Sequence, residues 1–405
     1  MRILLASIYP FAFLLLYLII PFDEYIRALP NLLLGILVVA FPFIVKKEDF
    51  KKLVKKPALL FLAFFAFLVL NSLLNGRIEE DFYILKKILI AVGLVLLYTP
   101  VKNLEKIDKA IIFSALAAML FSLINVFVLN DISSFEITNP IDILLVDRLY
   151  LGLLSVLSIL VSYKSIKPGF HPNNRFYLAN IILNVLFVFI IGSKVAVVML
   201  LAVLLLRQFY GARKKLRLLV TIGIIALATL FVFSSSGNIV KEYVYGSENR
   251  TEARYAEPSL HIAFRTIIWK CGYDMGISEG SNFFGMGFKK TSERLLECYD
   301  QNISDSKTKD WFRSNKFNTH NQFLDFYLST GLIGFVLFVG ILLALFIHYR
   351  KQFFPVALLV TIVLFGMAEN FFHRQIGAYY FGFVLIVLLS NETFMQRRPE
   401  NSVET

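Results

Sequence analysis

Apolar stretches long enough to cross a bilayer recur along this chain. A helix rises about 1.5 Å per residue, so roughly 20 apolar residues cover a hydrocarbon core of about 30 Å. Twelve such stretches stand out, at 4–21, 28–45, 57–75, 82–99, 107–129, 146–163, 177–191, 193–208, 217–234, 319–347, 353–369 and 376–391. Charged residues make up only 17% of the chain, against about a quarter in soluble domains. The expected fold is therefore all-α, a polytopic membrane protein with about twelve transmembrane helices. The first stretch starts almost at Met1, but no small-residue cleavage site follows it, and Pro21 and Asp23-Glu24 come next. We read it as a retained helix rather than a signal peptide.

The connections alternate in charge. Segments 46–56, with six lysines, 100–109, 163–175, 207–217, 348–352 and the tail after Asn391 are basic, whereas 22–27, 75–82 and 130–147 are acidic or neutral. The positive-inside rule then places both termini and the basic connections in the cytoplasm. That accounts for the net charge of +12 without nucleic acid as a partner. The domain plan is transmembrane helices 1–9 over 1–234, an outward loop over 235–318, helices 10–12 over 319–391 and a cytoplasmic tail over 392–405.

Inside the loop, Pro258 to Met275 and Phe288 to Tyr299 carry helical patterns, the Gly-rich 280–287 stretch reads as a turn, and 301–318 reads as polar and mobile. Both cysteines, Cys271 and Cys298, fall here. They pair as a disulfide if the loop faces an oxidising compartment, and are otherwise two free thiols.

Basic residues on the outward side are harder to explain. Lys86 and Lys87 lie in the outward half of the fourth span, Arg148 starts the sixth, and Arg374 precedes the last. Lys194 sits in the break Gly192-Ser193-Lys194 between two apolar arms of about 15 residues. Arms that short cover roughly 22 Å, which puts Lys194 below the outer surface. A charge there costs some ~2.5–3.5 kcal/mol, and an anionic partner offsets that cost. The plainer reading is a lysine that snorkels to the headgroups. The sequence contains no Asp-x-Asp pair, no His/Cys cluster at ligand spacing, no P-loop and no dinucleotide fingerprint. A phosphate partner would then be held by Lys and Arg, and neither a metal nor a cofactor is expected.

Thr319-His320-Asn321-Gln322 has the form of a capping box, with Thr319 as N-cap and His320 as first helical residue. His320, Leu324, Tyr327, Gly331 and Gly334 then share one helix face, and the glycines admit a close neighbouring helix. A histidine there is a candidate general base. The plainer reading is a histidine that only hydrogen-bonds at the headgroup level.

His320-Asn321, nine residues, Gly331, two residues, Gly334 resembles the H[NSQ]-x9-G-x-x-[GTY] signature of the bacterial O-antigen ligases. That family shares a superfamily with O-antigen polymerases and protein O-oligosaccharyltransferases. The likeness extends to the twelve spans, the orientation, the large loop before the histidine helix and the Ser-basic turn between two spans. Arg265 with Ile268-Trp269 resembles the family's loop arginine segment. Ser193-Lys194 stands where the family usually has Ser-Arg, so the charge is kept and the bidentate fork is lost. Arg148 and Lys86 or Lys87 are similar to basic positions near the family's lipid-pyrophosphate site.

The resemblance implies a membrane-embedded glycosyltransferase of the GT-C type in the bacterial inner membrane, with its active site on the periplasmic face. The implied donor is an undecaprenyl-pyrophosphate-linked glycan and the implied acceptor a sugar hydroxyl of lipid A–core. His320 would be the general base, with Arg265 and Lys194 also catalytic. Arg148, Lys86, Lys87, Asn321 and Arg374 would bind substrate, Asn321 either orienting His320 or contacting a sugar. With one base and no evident second carboxylate, direct displacement with inversion is expected. The alternatives are an O-antigen or exopolysaccharide polymerase, a protein O-oligosaccharyltransferase and, outside the class, a lipid or glycan transporter. A transporter leaves the single large loop unexplained.

Overall fold

The computed structural model describes residues 2–50, 56–101, 104–124, 147–210, 260–278, 283–303 and 306–390, with positions 218, 221–223 and 226. Every regular element among them is helical. The first group is α1 (Arg2–Ile19), α2 (Ala28–Ile44), the short α3 (Lys47–Phe50), α4 (Lys56–Leu74) and α5 (Ile78–Tyr98). It continues with α6 (Glu105–Ile124), α7 (Arg148–Ser165), α8 (Pro172–Ile190) and α9 (Lys194–Phe209). The polar loop contributes α10 (Leu260–Ser278), α11 (Phe288–Asn302) and α12 (Ser306–Asn315). Three apolar helices complete the order: α13 (Gln322–Tyr349), α14 (Phe353–Gly366) and α15 (Gln375–Ser390). Each expected span is met by one of these helices except 217–234, which lies almost wholly outside the described residues.

The Leu4–Phe22 stretch, α6, α8 and α13 are each long and apolar enough to cross a membrane; α2, α4, α14 and α15 are apolar and shorter. Large apolar side chains point outward from several helices, among them Leu32, Ile36, Val39 and Phe43 on α2 and Ile182, Leu186, Phe189 and Ile190 on α8. Water would penalise apolar faces of that extent, whereas lipid solvates them. The chain is an all-α, multi-pass membrane protein.

The interior is organised around α15, whose Tyr379, Tyr380, Phe383, Ile386 and Val387 are fully buried. It packs along α5, while α7 is flanked by α6, α8 and α9. Some polar groups inside the bundle are hydrogen-bonded to one another: Asn180 on α8 donates to Ser158 Oγ at 2.9 Å and Ser162 Oγ at 2.8 Å on α7. Pairing of this kind removes the cost of burying an unsatisfied amide.

α8 departs from the expected short arm. It is 19 residues long, because Pro172 at its start and the His171 ring, which accepts from Asn173 N, begin the helix earlier than hydropathy alone suggests. At about 1.5 Å per residue it covers roughly 28 Å. Only α9, at 16 residues, is short.

The loop helices form a second, smaller core of Ile268, Cys271, Met275, Leu295, Tyr299, Ile303 and Phe312, closed from the bundle side by Leu328. Cys271 and Cys298 are disulfide-bonded and tie α10 to α11. The expectation of a mobile 301–318 is corrected, because α12 lies within it. Trp311 and Phe312 anchor that helix, with Phe312 stacked edge-on against Tyr299 at 5.0 Å and Trp311 against Phe317 at 4.7 Å. Two aromatic residues suffice to fix an otherwise polar segment.

Candidate active site

α13 does not start as a Thr319 capping box. Asn321 is the N-cap, and its side chain accepts from Phe323 N at 3.0 Å and Leu324 N at 3.1 Å. Asn beats Thr here because its carbonyl reaches two orphan amides at once. His320 stands outside the helix with a positive φ of 42°, and its backbone N donates to Asn318 Oδ1 at 2.9 Å. The amide carbonyl of Asn321 is thus committed to capping.

The His320 ring is held by Glu369, a residue that the sequence reading missed. His320 Nδ1 lies 2.9 Å from Glu369 Oε2, and the carboxylate's other oxygen accepts from Asn370 N at 3.1 Å. Burial works against ionising Glu369. The hydrogen-bonded His320 ring, the Asn370 amide and the Arg265 charge outweigh it and hold the carboxyl below its ordinary value. An ionised Glu369 accepts only, so Nδ1 carries the proton and donates it. Glu369 escaped notice because the apolar run was extended to 369. The helix ends at Gly366, and Glu369, His373 and Arg374 together form a polar connection to α15.

The same connection is pinned to the start of α13 by further buried pairs. Asn370 Nδ2 donates to Thr319 Oγ1 at 2.9 Å, and Phe372 N donates to Gln322 Oε1 at 3.3 Å. His373 Nε2 meets Asp325 Oδ2 at 3.0 Å. Two histidine–carboxylate pairs, His320–Glu369 and His373–Asp325, thus cross-link the two segments in opposite senses.

The expected cations divide into three groups. Arg265, on α10, is half-buried; burial pulls it below its ordinary value, while the Glu369 and Asp147 carboxylates favour its charge. Its charge acts on the Glu369 carboxylate. Arg148 and Lys194 form a second group, close enough for their charges to act on each other. Ser193 caps α9 by accepting from Ala196 N at 3.4 Å and lies against Gly152 of α7, which sets Lys194 near the start of α7. Arg374, Lys87 and Lys86 make up the third group. Arg374 donates to both Asp147 and Glu24. Lys87 donates to the His373 carbonyl and lies over the Tyr83 ring at 3.2 Å. Lys86, the preceding residue on α5, is exposed.

Of the two motif glycines, Gly334 lies against Phe67 of α4 as expected, and Gly331 differs. Gly331 has φ 74° and ψ −173°, which breaks α13, so no continuous face runs from His320 to Gly334. The backbone groups freed by the break are taken up by residues 283–287. Met286 N donates to Leu328 O at 3.0 Å, Gly287 N to Ser329 O at 2.9 Å, and Ile333 N to Phe283 O at 3.3 Å. The fit is close: a Cβ on Gly285 would lie 2.4 Å from Gly331 N. Arg77 and Asn71 hold the 283–287 segment to the α4–α5 corner, donating to the Gly285 carbonyl at 2.8 Å and the Phe284 carbonyl at 2.7 Å. Gly331 therefore receives a loop rather than a helix. α13 also makes close helix contacts on its Leu324–Tyr327 side, against α10 at Gly272 and Gly276.

This end of the molecule combines a histidine held by a carboxylate, a half-buried arginine whose charge acts on that carboxylate, and two further cations at neighbouring helix starts. Such a set can remove a proton and hold an anion. No curated protein matches the chain. Residues 179–339 match the model of a protein family described as O-antigen ligase, a stretch that takes in Ser193-Lys194, the loop helices, His320 and both motif glycines. Over these residues the chain is similar to the O-antigen ligase family.

Proposed function

We propose that this protein is an O-antigen ligase that transfers a glycan from undecaprenyl pyrophosphate to a sugar hydroxyl of lipid A–core. The observation that carries the reading is the His320–Glu369 pair beside Arg265. Glu369 holds the Nδ1–H of His320, which presents Nε2 as the basic nitrogen. Nε2 takes the proton of the acceptor hydroxyl as that oxygen bonds to the anomeric carbon. The bond from the anomeric carbon to the pyrophosphate oxygen breaks, and the pyrophosphate leaves with the electron pair. Arg265, Arg148 and Lys194 stabilise the charge gathering on it. Direct displacement inverts the anomeric centre, and the cations supply the charge stabilisation without a metal.

In this reading Arg374 and Lys87 act mainly by fixing the 369–374 connection, because both already bind protein acceptors. Lys86, exposed on α5, contacts donor headgroups. The Cys271–Cys298 bond supports an oxidising surrounding for the loop. With the positive-inside pattern it favours the bacterial inner membrane, a periplasmic site of the GT-C type and cytoplasmic termini.

The deciding experiment uses purified protein in detergent with a lipid-linked glycan donor. Lipid A–core is offered in one reaction and a second lipid-linked glycan in the other, with no ion gradient. Glycan on lipid A–core, abolished by His320→Ala, is the expected result. Elongation of the lipid-linked glycan alone would make the protein a polymerase. Wild-type transfer by a folded His320→Ala variant would remove the mechanism.

A further inference from the structure

The three helices that bring site residues together at one end converge again at the other. α7 starts at Arg148 and ends at Ser165, α9 starts at Lys194 and ends at Phe209, and α14 starts at Phe353 and ends at Gly366, just before Glu369. At the far ends, Tyr163, Lys164, Arg207, Tyr210, Lys351 and Phe353 line an open cavity of about 490 Å³. The 18 residues of α7 separate it from the His320 end by roughly 27 Å, close to the thickness of a hydrocarbon core. The cavity therefore lies at headgroup level in the opposite leaflet.

Its chemistry is cationic and aromatic. Lys164 pairs with Asp108 at 2.8 Å. Among the described residues no carboxylate pairs with Arg207 or Lys351, which leaves the cavity with an excess of positive charge. The Arg207 guanidinium is held in place rather than left loose. Its Nε donates to Tyr163 Oη at 2.7 Å, and it lies over the Phe353 ring at 5.2 Å and the Tyr163 ring at 5.8 Å. The Tyr210 hydroxyl donates to the Arg350 carbonyl at 2.7 Å and fixes the rim next to Lys351. Leu205 and Phe209 are exposed on α9 beside the cavity, where acyl chains would lie. A guanidinium fixed through Nε keeps its terminal N–H groups for an oxyanion.

We propose that this cavity binds the phosphate headgroup of an anionic phospholipid in the leaflet opposite the candidate active site. Arg207 is the bidentate donor, Lys351 adds charge at the rim, and Tyr163, Tyr210 and Phe353 enclose the glycerol region. Basic pockets between transmembrane helices favour such headgroups, and ring side chains favour this depth. The inference does not depend on the transfer reaction.

The test is native mass spectrometry of the detergent-purified full chain titrated with phosphatidylglycerol, and separately with phosphatidylethanolamine or inorganic phosphate. Wild type should retain phosphatidylglycerol in preference to phosphatidylethanolamine, and millimolar inorganic phosphate should not displace it. Arg207→Gln/Lys351→Gln should weaken retention by about tenfold or more. Lys351→Gln alone, at an exposed position, should weaken it less and leaves folding undisturbed. Lys46→Gln/Lys47→Gln removes two exposed lysines from the basic connection after α2 and should change nothing. Equal loss in that control would reduce the effect to general surface charge and overturn the proposal. So would unchanged retention in both cavity variants, or displacement of the lipid by inorganic phosphate.

Discussion

Glu369 Oε2 sits 2.9 Å from Nδ1 of His320, although 49 positions separate them in the chain. A carboxylate on Nδ1 fixes the tautomer and the ring plane, and directs Nε2 as base. The pair also joins the connection after α14 to the residue before α13, so the base is positioned by two elements rather than one.

Removing the base and removing its orienter should therefore differ. His320→Ala is expected to abolish transfer. Glu369→Gln keeps the shape but loses the acceptor that selects the Nδ1–H tautomer, and should lower kcat by about 10²–10³-fold with little change in KM. Glu369→Asp should recover part of that loss. Steady-state kinetics of the three purified variants check this, and an unchanged kcat in Glu369→Gln would remove Glu369 from the mechanism.

Glu369 also carries a pH signature in stability. Its carboxyl is held below its ordinary value of 4.5 by His320, the Asn370 amide and Arg265, which together overcome burial. A depressed carboxyl stabilises the fold above its unfolded pKa, and the contribution disappears as pH falls through the lower folded value. The Tm difference between wild type and Glu369→Gln should thus be flat above about pH 5 and shrink on further acidification. A difference that widens below that pH would reverse the sign of the argument.

Helix positions were legible because a hydrocarbon core demands long apolar runs, and no other signal in the chain has that length. Lys194 stood out because a charge between two apolar arms is costly, His320 because it opens a long apolar run, and Arg265 through its likeness to the family's loop arginine segment. Glu369 was hidden because hydropathy does not mark where an apolar helix stops, and Gly366 to Arg374 follows the run without a proline or charge cluster. The start of α13 was displaced by two residues because Thr319 and Asn321 are both good caps; Asn321 takes two helix amides while Thr319 is taken up by Asn370. The break at Gly331 was read as close packing because a glycine pattern does not distinguish a helix contact from a loop that completes a broken helix.

The cations should separate by role. Arg265→Gln, beside Glu369, is expected to cost about 10²–10³-fold in kcat, the range seen when a charge-stabilising donor is removed. Lys194→Ala should lose most activity as well, while Lys194→Arg should be tolerated if charge alone matters there. Turnover should be undiminished in excess chelator. Assays of the three variants, each with and without chelator, measure these effects together, and a clear metal requirement would contradict the cationic cradle.

The contact between Gly285 and Gly331 should be intolerant of any side chain. An added Cβ on Gly285 would lie 2.4 Å from Gly331 N and 2.5 Å from Ser329 O, both backbone atoms that cannot swing aside. Gly331→Ala meets a different difficulty, its φ of 74°. Each substitution is expected to destabilise by about 1–3 kcal/mol, and to raise proteolysis in the loop before the transmembrane bundle unfolds. Limited proteolysis alongside thermal melting tests the order of those events.

The Cys271–Cys298 bond should matter to the loop and little to the bundle. It closes a segment with a sequence separation of 27, for which chain-entropy arguments give about 3–4 kcal/mol. Its two helices bury a core of their own, touching α13 chiefly at Leu324, Tyr327 and Leu328. Loss of the bond loosens α10, and with it the placement of Arg265 beside Glu369. Cys271→Ser/Cys298→Ser, or reduction of the wild type, should leave the helical content of the membrane bundle intact. Loop proteolysis should rise and kcat should fall in the same direction as in Arg265→Gln, though less far. If reduction left both proteolysis and turnover unchanged, the small core would be holding α10 without the covalent link.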